Sequence, residues 1–183
     1  MARKTLILNG SPRPKGNTAA LISELKKHLE GEVVELFAFR SRIAPCVDCR
    51  GCWETAICVV RDEMDVIYGD DFDNFVIASP VYFGTLPGSV LNVMSRMQPW
   101  HVAKFFLGRP KELRPKKAGV ILTGGGKGNE ERAYHHLMAF FRMVNAQNFR
   151  EHMVCSLNTD TLPVGEDTEA LAAIPTLAAY LNE

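Results

Sequence analysis

Short uninterrupted apolar runs alternate along the chain with stretches where apolar residues recur every three or four positions. Leu6-Ile7-Leu8 stops at Asn9-Gly10-Ser11-Pro12 and reads as a buried strand ending in a turn. From Asn17-Thr18 a helix is expected, with Leu21, Ile22, Leu25 and Leu29 on one face, Lys26, Lys27 and Glu30 on the other, and Gly31 closing it. Val33–Phe37 predicts a second strand. After a cysteine-rich loop, Asp62 is placed to cap a helix carrying Met64, Ile67 and Tyr68 and ending near Gly69. Phe75–Ala78 predicts a third strand that stops at Ser79-Pro80. A helix from about Pro87 to Met97 follows, with Val90, Leu91 and Met94 on one face. Ala118–Leu122 is a fourth strand, and the helix from Glu130 to Asn145 carries Leu137, Phe140, Phe141 and Val144 together. Phe149–Cys155 is a weaker fifth strand, and Asp167–Leu181 a last helix with a break or bend expected near Pro175. Pro110 and Pro115 interrupt the segment Pro99–Lys117, which reads as a loop or short lid-like excursion.

Five strand–helix alternations imply an α/β fold, a parallel sheet with helices on both faces. Right-handed crossovers favour the doubly wound strand order 2-1-3-4-5, with ligands bound beyond the C-terminal strand ends, at the switch point between strands one and three. The 183 residues suit one domain over 1–183, with the cysteine-rich loop at 44–60, and show no internal repeat or linker. Charge changes this picture by exclusion. Lys plus Arg and Asp plus Glu number 21 each. That balance gives no support for nucleic-acid or membrane-surface binding. The apolar stretch Thr5–Leu8 is too short for a signal-peptide core, so a cytoplasmic setting is expected, where structural disulfides are rare.

The loops after strands one, three and four should meet at one edge of the sheet. Asn9–Thr18 joins a strand to a helix N-terminus, where free N–H groups and the dipole favour an anion. Ser11, Asn17 and Thr18 add donors, and Arg13 and Lys15 add positive charge, a set that fits a terminal phosphate. The G-x-G-x-x-G and G-x-x-x-x-G-K-[ST] fingerprints are absent. In Ser79–Thr85, Tyr82 and Phe83 lie just past a buried strand, and taken alone they suit equally a flat heteroaromatic ring packed here or aromatics that simply pack on the domain. In Thr123–Asn129, glycines allow close backbone approach to a ligand.

The stretches G-S-P-R-P-K-G-N-T at Gly10–Thr18 and S-P-V-Y-F-G at Ser79–Gly84 closely resemble the flavodoxin-like NAD(P)H-dependent FMN reductases, and within them the iron–sulfur flavoprotein branch. The resemblance is good over about the first two-thirds of the chain. It implies a flavodoxin-like three-layer fold in which Ser11, Arg13, Asn17 and Thr18 hold the FMN phosphate. Pro80, Val81, Tyr82, Phe83 and Gly84 would then border the isoalloxazine and upper ribityl chain, and Thr123, Gly124 and Gly125 its other side. It implies NAD(P)H, or a reduced carrier such as a ferredoxin, as electron donor. It also implies a homodimer or homotetramer with the flavin near a subunit interface, and the Pro99–Lys117 segment would help to build that interface or would cover the flavin.

The cysteines are spaced Cys46-x2-Cys49-x2-Cys52-x5-Cys58. Such a run suits four thiolates around one centre, either tetrahedral zinc or an iron–sulfur cluster. Three close cysteines and a more distant fourth look more like a [4Fe-4S] site than the separated pairs of zinc. The iron–sulfur flavoprotein relatives carry a compact motif of this kind, which this chain matches at all four positions. Free loop thiols, with Trp53 and Ile57 as anchors, are the plain alternative. Cys155, on a strand, reads as a small core residue.

No acid, base or nucleophile triad stands out, in keeping with chemistry carried by a flavin. His135 and His136 read as exposed polar positions, Asp70, Asp71 and Asp73 as solvated, and Met94, Met97 and Met138 as packing residues. The expectation is an FMN-dependent oxidoreductase that passes electrons to an unidentified acceptor, possible routes including a cluster. Its rivals are a non-catalytic electron-transfer module and a cysteine-based metal- or redox-sensing protein.

Overall fold

The computed structural model describes residues 2–126 and 130–183. Six strands, β1 (Lys4–Asn9), β2 (Glu32–Phe37), β3 (Asn74–Pro80), β4 (Lys116–Thr123), β5 (Ala146–Gln147) and β6 (Met153–Ser156), form one sheet. Its order is β2-β1-β3-β4, with β5 and β6 both paired to β4 and every pairing parallel. This is the flavodoxin-like order 2-1-3-4-5, with the fifth place shared by two pieces. The weak fifth strand read over Phe149–Cys155 is divided by a turn of 3₁₀ helix at Arg150–His152. β5 pairs with Lys116 and Lys117, and β6 with Val120–Thr123.

The central strands read as unbroken apolar runs because both their faces are covered. Alternation splits each run between two cores. Leu6, Leu8, Phe75, Ile77, Val120 and Leu122 face one layer with Met64, Val90, Leu137 and Phe141. Ile7, Val76, Ala78 and Ile121 face the other, with Leu21 and Leu25 of α1 (Asn17–His28) and Ile174 and Leu177 of α7 (Thr168–Asn182). Each such fully buried side chain contributes about 1.5–3 kcal/mol relative to exposure. Asp167 caps α7, its carboxylate accepting from the Ala170 N–H at 3.0 Å. Pro175 lies within that helix without ending it.

Five further helices complete the described residues: α2 (Cys52–Thr55), α3 (Asp65–Gly69), α4 (Gly88–Ser95), α5 (Gln98–Phe105) and α6 (Glu130–Met143). α5 corrects the expectation of a loop over Pro99–Lys117. Pro99 sits in its first turn, where proline costs no hydrogen bond, and Trp100 and Val102 are buried beneath it. A second correction concerns Asp70. It is not solvated but buried, with Lys116 Nζ at 2.5 Å from its carboxylate. Burial lowers the Lys116 pKa, and the Asp70 carboxylate opposes that shift.

Candidate functional site

A cavity of about 240 Å³ opens at the C-terminal edge of the strands. Ser11, Arg13, Gly16, Asn17 and Thr18 come to it from the loop after β1, and Pro80, Val81 and Tyr82 from the end of β3. Thr123, Gly124 and Gly125 follow β4, and Thr159 and Asp160 follow β6. Ten of the expected flavin-loop residues are thereby brought together: Ser11, Arg13, Asn17, Thr18, Pro80, Val81, Tyr82, Thr123, Gly124 and Gly125. Lys15 does not line the cavity, and Lys127, Gly128 and Asn129 lie outside the described residues.

Local bonding explains the convergence. The Gly10 N–H donates to the Ala78 carbonyl at 2.8 Å, and the Ser11 N–H to the Asn9 side chain at 2.9 Å. The Ser11 hydroxyl in turn accepts from the Arg13 N–H at 3.2 Å, so Ser11 shapes the loop as well as facing the cavity. A Cβ on Gly10 would stand 2.5 Å from Val90 Cγ2, so only glycine lets α4 come this close. The Thr18 and Thr123 hydroxyls meet at 2.8 Å across the buried floor. α1 begins without a side-chain cap at Gly16 and without an acidic residue in its first turn, leaving its N–H groups and dipole to an anion.

The turn after β3 departs from expectation. Tyr82 and Thr85 bond to each other, with Phe83 (φ +52°) and Gly84 (φ +75°) both left-handed at the tip. Phe83 is fully exposed there, and neither it nor Gly84 lines the cavity. A bulky residue held at positive φ in full solvent is strained, and such strain gathers at functional sites.

Thr159 and Asp160 escaped the sequence reading, which considered only the loops after strands one, three and four. Their signal was the polar run Asn158-Thr159-Asp160 following the fifth strand position. The Gly124 N–H donates to the Ser156 carbonyl at 2.9 Å and the Thr159 N–H to the Gly124 carbonyl at 3.0 Å, which ties the two loops together. The Asp160 carboxylate packs so closely on Gly125 that a Cβ there would lie 2.1 Å from it.

A larger concavity, about 920 Å³, lies at the opposite sheet edge. Most of its charges are mutually paired, as in Lys4–Asp71 at 3.0 Å and Arg114–Asp73 at 2.5 Å, so it presents a largely ion-paired rim rather than convergent free donors.

The four clustered cysteines border a separate small cavity, together with Trp53, Arg96 and Pro99. Cys46 and Cys49 are exposed, Cys52 and Cys58 half-buried, and all are free thiols. Asp48, Arg50 and Ala56 all take left-handed φ between or beside them, winding the backbone around the cavity. The Cys52 thiol pKa is raised first by burial and then by the charges of Cys46, Cys58 and Cys49, so the four sulfurs share one electrostatic environment. Among the described residues, no group of three or more His, Cys, Asp or Glu side chains stands ready to hold a metal ion. Trp53 and Phe106, just beyond α5, meet tilted at 44° with ring centroids 4.8 Å apart, so this part of the segment expected to build the subunit interface or cover the flavin backs the cysteine loop. Ile57 is exposed and anchors nothing.

Arg96, which the sequence reading passed over, holds the base of this loop. Its guanidinium is buried and donates to the Ala44 carbonyl at 2.8 Å, to Asp62 at 2.7 Å, to the Val60 carbonyl at 3.2 Å and to Cys58 Sγ at 3.4 Å. Its Nε is buried without a hydrogen-bond partner. Burial works against ionisation of Asp62, but Arg96 and the Ala44 and Met64 N–H groups outweigh it and hold the carboxyl below its ordinary range. Tyr68 donates its hydroxyl to the Arg96 carbonyl. The signal in the sequence was an arginine set in the apolar face of Val90–Met97.

Cys155 lies on β6, its thiol pKa pushed up to about 12 by burial, as suits an inert packing residue. His135 and His136 are exposed on α6, and Met94, Met97 and Met138 pack on the core.

The profile of the NADPH-dependent FMN reductases matches residues 3–159, most of the chain and all six strands described above. The chain belongs to the NADPH-dependent FMN reductase family. It is accordingly a flavin-dependent oxidoreductase served by reduced pyridine nucleotide. Among its relatives, an iron–sulfur flavoprotein of Methanocaldococcus jannaschii is 29% identical over 75% of this chain and 71% of its own. Another, from Archaeoglobus fulgidus, is 31% identical over 73% of this chain and 69% of its own. The match to an iron–sulfur flavoprotein of Methanosarcina thermophila spans somewhat less than two-thirds of that protein, 63%. In fold, the chain superposes on the NAD(P)H:quinone oxidoreductase of Methanothermobacter marburgensis with a TM-score of 0.72 at 15% identity, covering 98% of this chain and 95% of that one. No helix among the described residues is long and apolar enough to cross a membrane.

Proposed function

We propose that this family member binds FMN as a resident cofactor, takes electrons from NAD(P)H and delivers them through a [4Fe-4S] cluster held by Cys46, Cys49, Cys52 and Cys58. The observation that carries the reading is the convergence of four loops on one cavity at the uncapped start of α1. There, Arg13 and the first-turn N–H groups of α1 supply charge and donors to the phosphate, and Ser11, Asn17 and Thr18 complete its cradle. At about 240 Å³ the cavity is smaller than the roughly 300 Å³ at which small-molecule sites begin, which suits the phosphate and ribityl end of a ligand whose ring rests against Pro80–Tyr82. Gly124 and Gly125 give the ring close approach to backbone.

Bound FMN supplies the two-electron to one-electron conversion that links a hydride donor to a one-electron acceptor. The chain's own residues bind and orient, and none is asked to transfer a proton. For the cluster, the support is the donor set: four thiols around one cavity, backbone wound by left-handed residues, and a buried cation against one sulfur. The relatives named as iron–sulfur flavoproteins point the same way.

The test is anaerobic purification followed by an absorption spectrum, an iron assay and addition of NADPH. Flavin bands, about four irons per chain and bleaching on addition are expected. Absence of bleaching with either pyridine nucleotide sinks the reductase reading. An Arg13→Ala/Thr18→Ala double variant is expected to lose FMN affinity at least tenfold, and unchanged affinity would contradict the phosphate assignment.

A further inference from the structure

Burying a guanidinium is costly, and a loop brace alone accounts for only part of what Arg96 does. Asp62 balances its charge, and the carbonyls of Ala44 and Val60 satisfy further N–H groups. Two features remain. One donor points at Cys58 Sγ, and Nε is buried with no partner at all. Nε is thus a buried donor left unsatisfied, which carries a desolvation cost. The side chain borders the cysteine cavity, where the other charged residues, Asp48 and Arg50, are exposed and pair with each other at 2.9 Å. Arg96 is therefore the one buried charge among the described residues lining that cavity.

We propose that Arg96 is the positioning residue of the cysteine site, donating to the Cys58 sulfur and stabilising the added negative charge when a cluster there is reduced. This rests on the cluster reading above. Hydrogen bonds to cluster sulfurs, net charge and solvent exposure set the reduction potential of such centres. A fixed, buried cation beside one of the sulfurs favours the reduced, more negative form, which makes the site a better electron acceptor.

The test uses the anaerobically reconstituted, flavin-loaded chain, with iron content measured beside the midpoint potential from a spectroscopic redox titration. Arg96→Lys keeps the charge for Asp62 but lacks the planar fork that reaches Cys58. It is expected to shift the ratio of reduced to oxidised cluster about tenfold towards the oxidised form at fixed potential, about 59 mV for one electron. Asp62→Asn breaks the same ion pair, leaves the donor to sulfur in place and is expected not to lower the potential. Loss of the cluster from Arg96→Lys with retention in Asp62→Asn also supports the assignment. Arg96→Lys at the wild-type potential, or both variants lowering the potential or shedding iron alike, overturns it. If the unmodified chain takes up no iron and sulfide, the cluster reading itself fails, an outcome distinct from either.

Discussion

Gly10 shows how much a single side chain decides at the residue scale. Its Cβ would meet Val90 Cγ2 at 2.5 Å and Ser79 Oγ at 2.8 Å. Gly10→Ala is expected to cost about 1–3 kcal/mol through overpacking, read as a lowered urea midpoint, and adding Val90→Ala should recover part of it. Asp62 offers a second test, through pH. Its folded pKa lies below its unfolded value of about 3.9. The stability it lends is thus complete above that value and is lost as pH falls through the lower folded pKa. An acid titration followed by circular dichroism should show Asp62→Asn losing this part of the acid sensitivity. Residues whose position at the cavity is set by chain neighbours were legible in advance. Thr18, Asn17 and Arg13 sit beside a strand end and a helix start, and that context announces an anion site. Arg96 gave only the signal of an arginine in an apolar helix face, and its partners Ala44, Cys58, Val60 and Asp62 were not legible because all belong to a loop far away in sequence. The exposure of Phe83 was not legible for a related reason, since the tight Tyr82–Thr85 turn aims it outward in a way that residue type alone does not reveal.

At the scale of elements, the strands that read most clearly are those buried on both faces, where apolar runs have no competing explanation. α5 was hidden because Pro110 and Pro115 made the whole segment read as broken, although both lie beyond the helix and Pro99 occupies a first-turn position. The join between α3 and β4 was equally invisible, because the acidic run Asp70, Asp71, Asp73 looks uniform until folding buries its first member. That burial makes a prediction. Asp70→Ala would strand Lys116 as an unpaired buried cation, at a cost of about 3 kcal/mol in thermal or urea unfolding. Combining it with Lys116→Met should restore most of the loss, because neither charge then remains to be compensated. A double variant no more stable than Asp70→Ala would show that Lys116 is needed for its bonds to the Arg114 and Val144 carbonyls instead.

For the molecule as a whole, the sheet order places four loop ends at one rim, and ligand binding should be felt as global stability. FMN at one hundred times its dissociation constant is expected to add about 2.7 kcal/mol to unfolding. Riboflavin, which lacks the phosphate, should add clearly less at the same concentration, and equal thermal shifts would count against the role given to the start of α1. Exposed Val47, Val59, Phe105 and Phe106 lie in and beside the cysteine loop and α5, an apolar surface of the kind that self-association covers. Sedimentation is expected to show a dimer or tetramer. The divided last strand bears on how such copies meet. β5 and β6 offer only 2 and 4 residues of ladder, with the chain turning aside between them at Arg150–His152. A neighbouring strand laid along this margin would find too short a run of backbone to extend, so the margin resists the runaway stacking that open sheets invite. Contacts made on this side must therefore rest on the fit of side chains rather than on an extended backbone ladder.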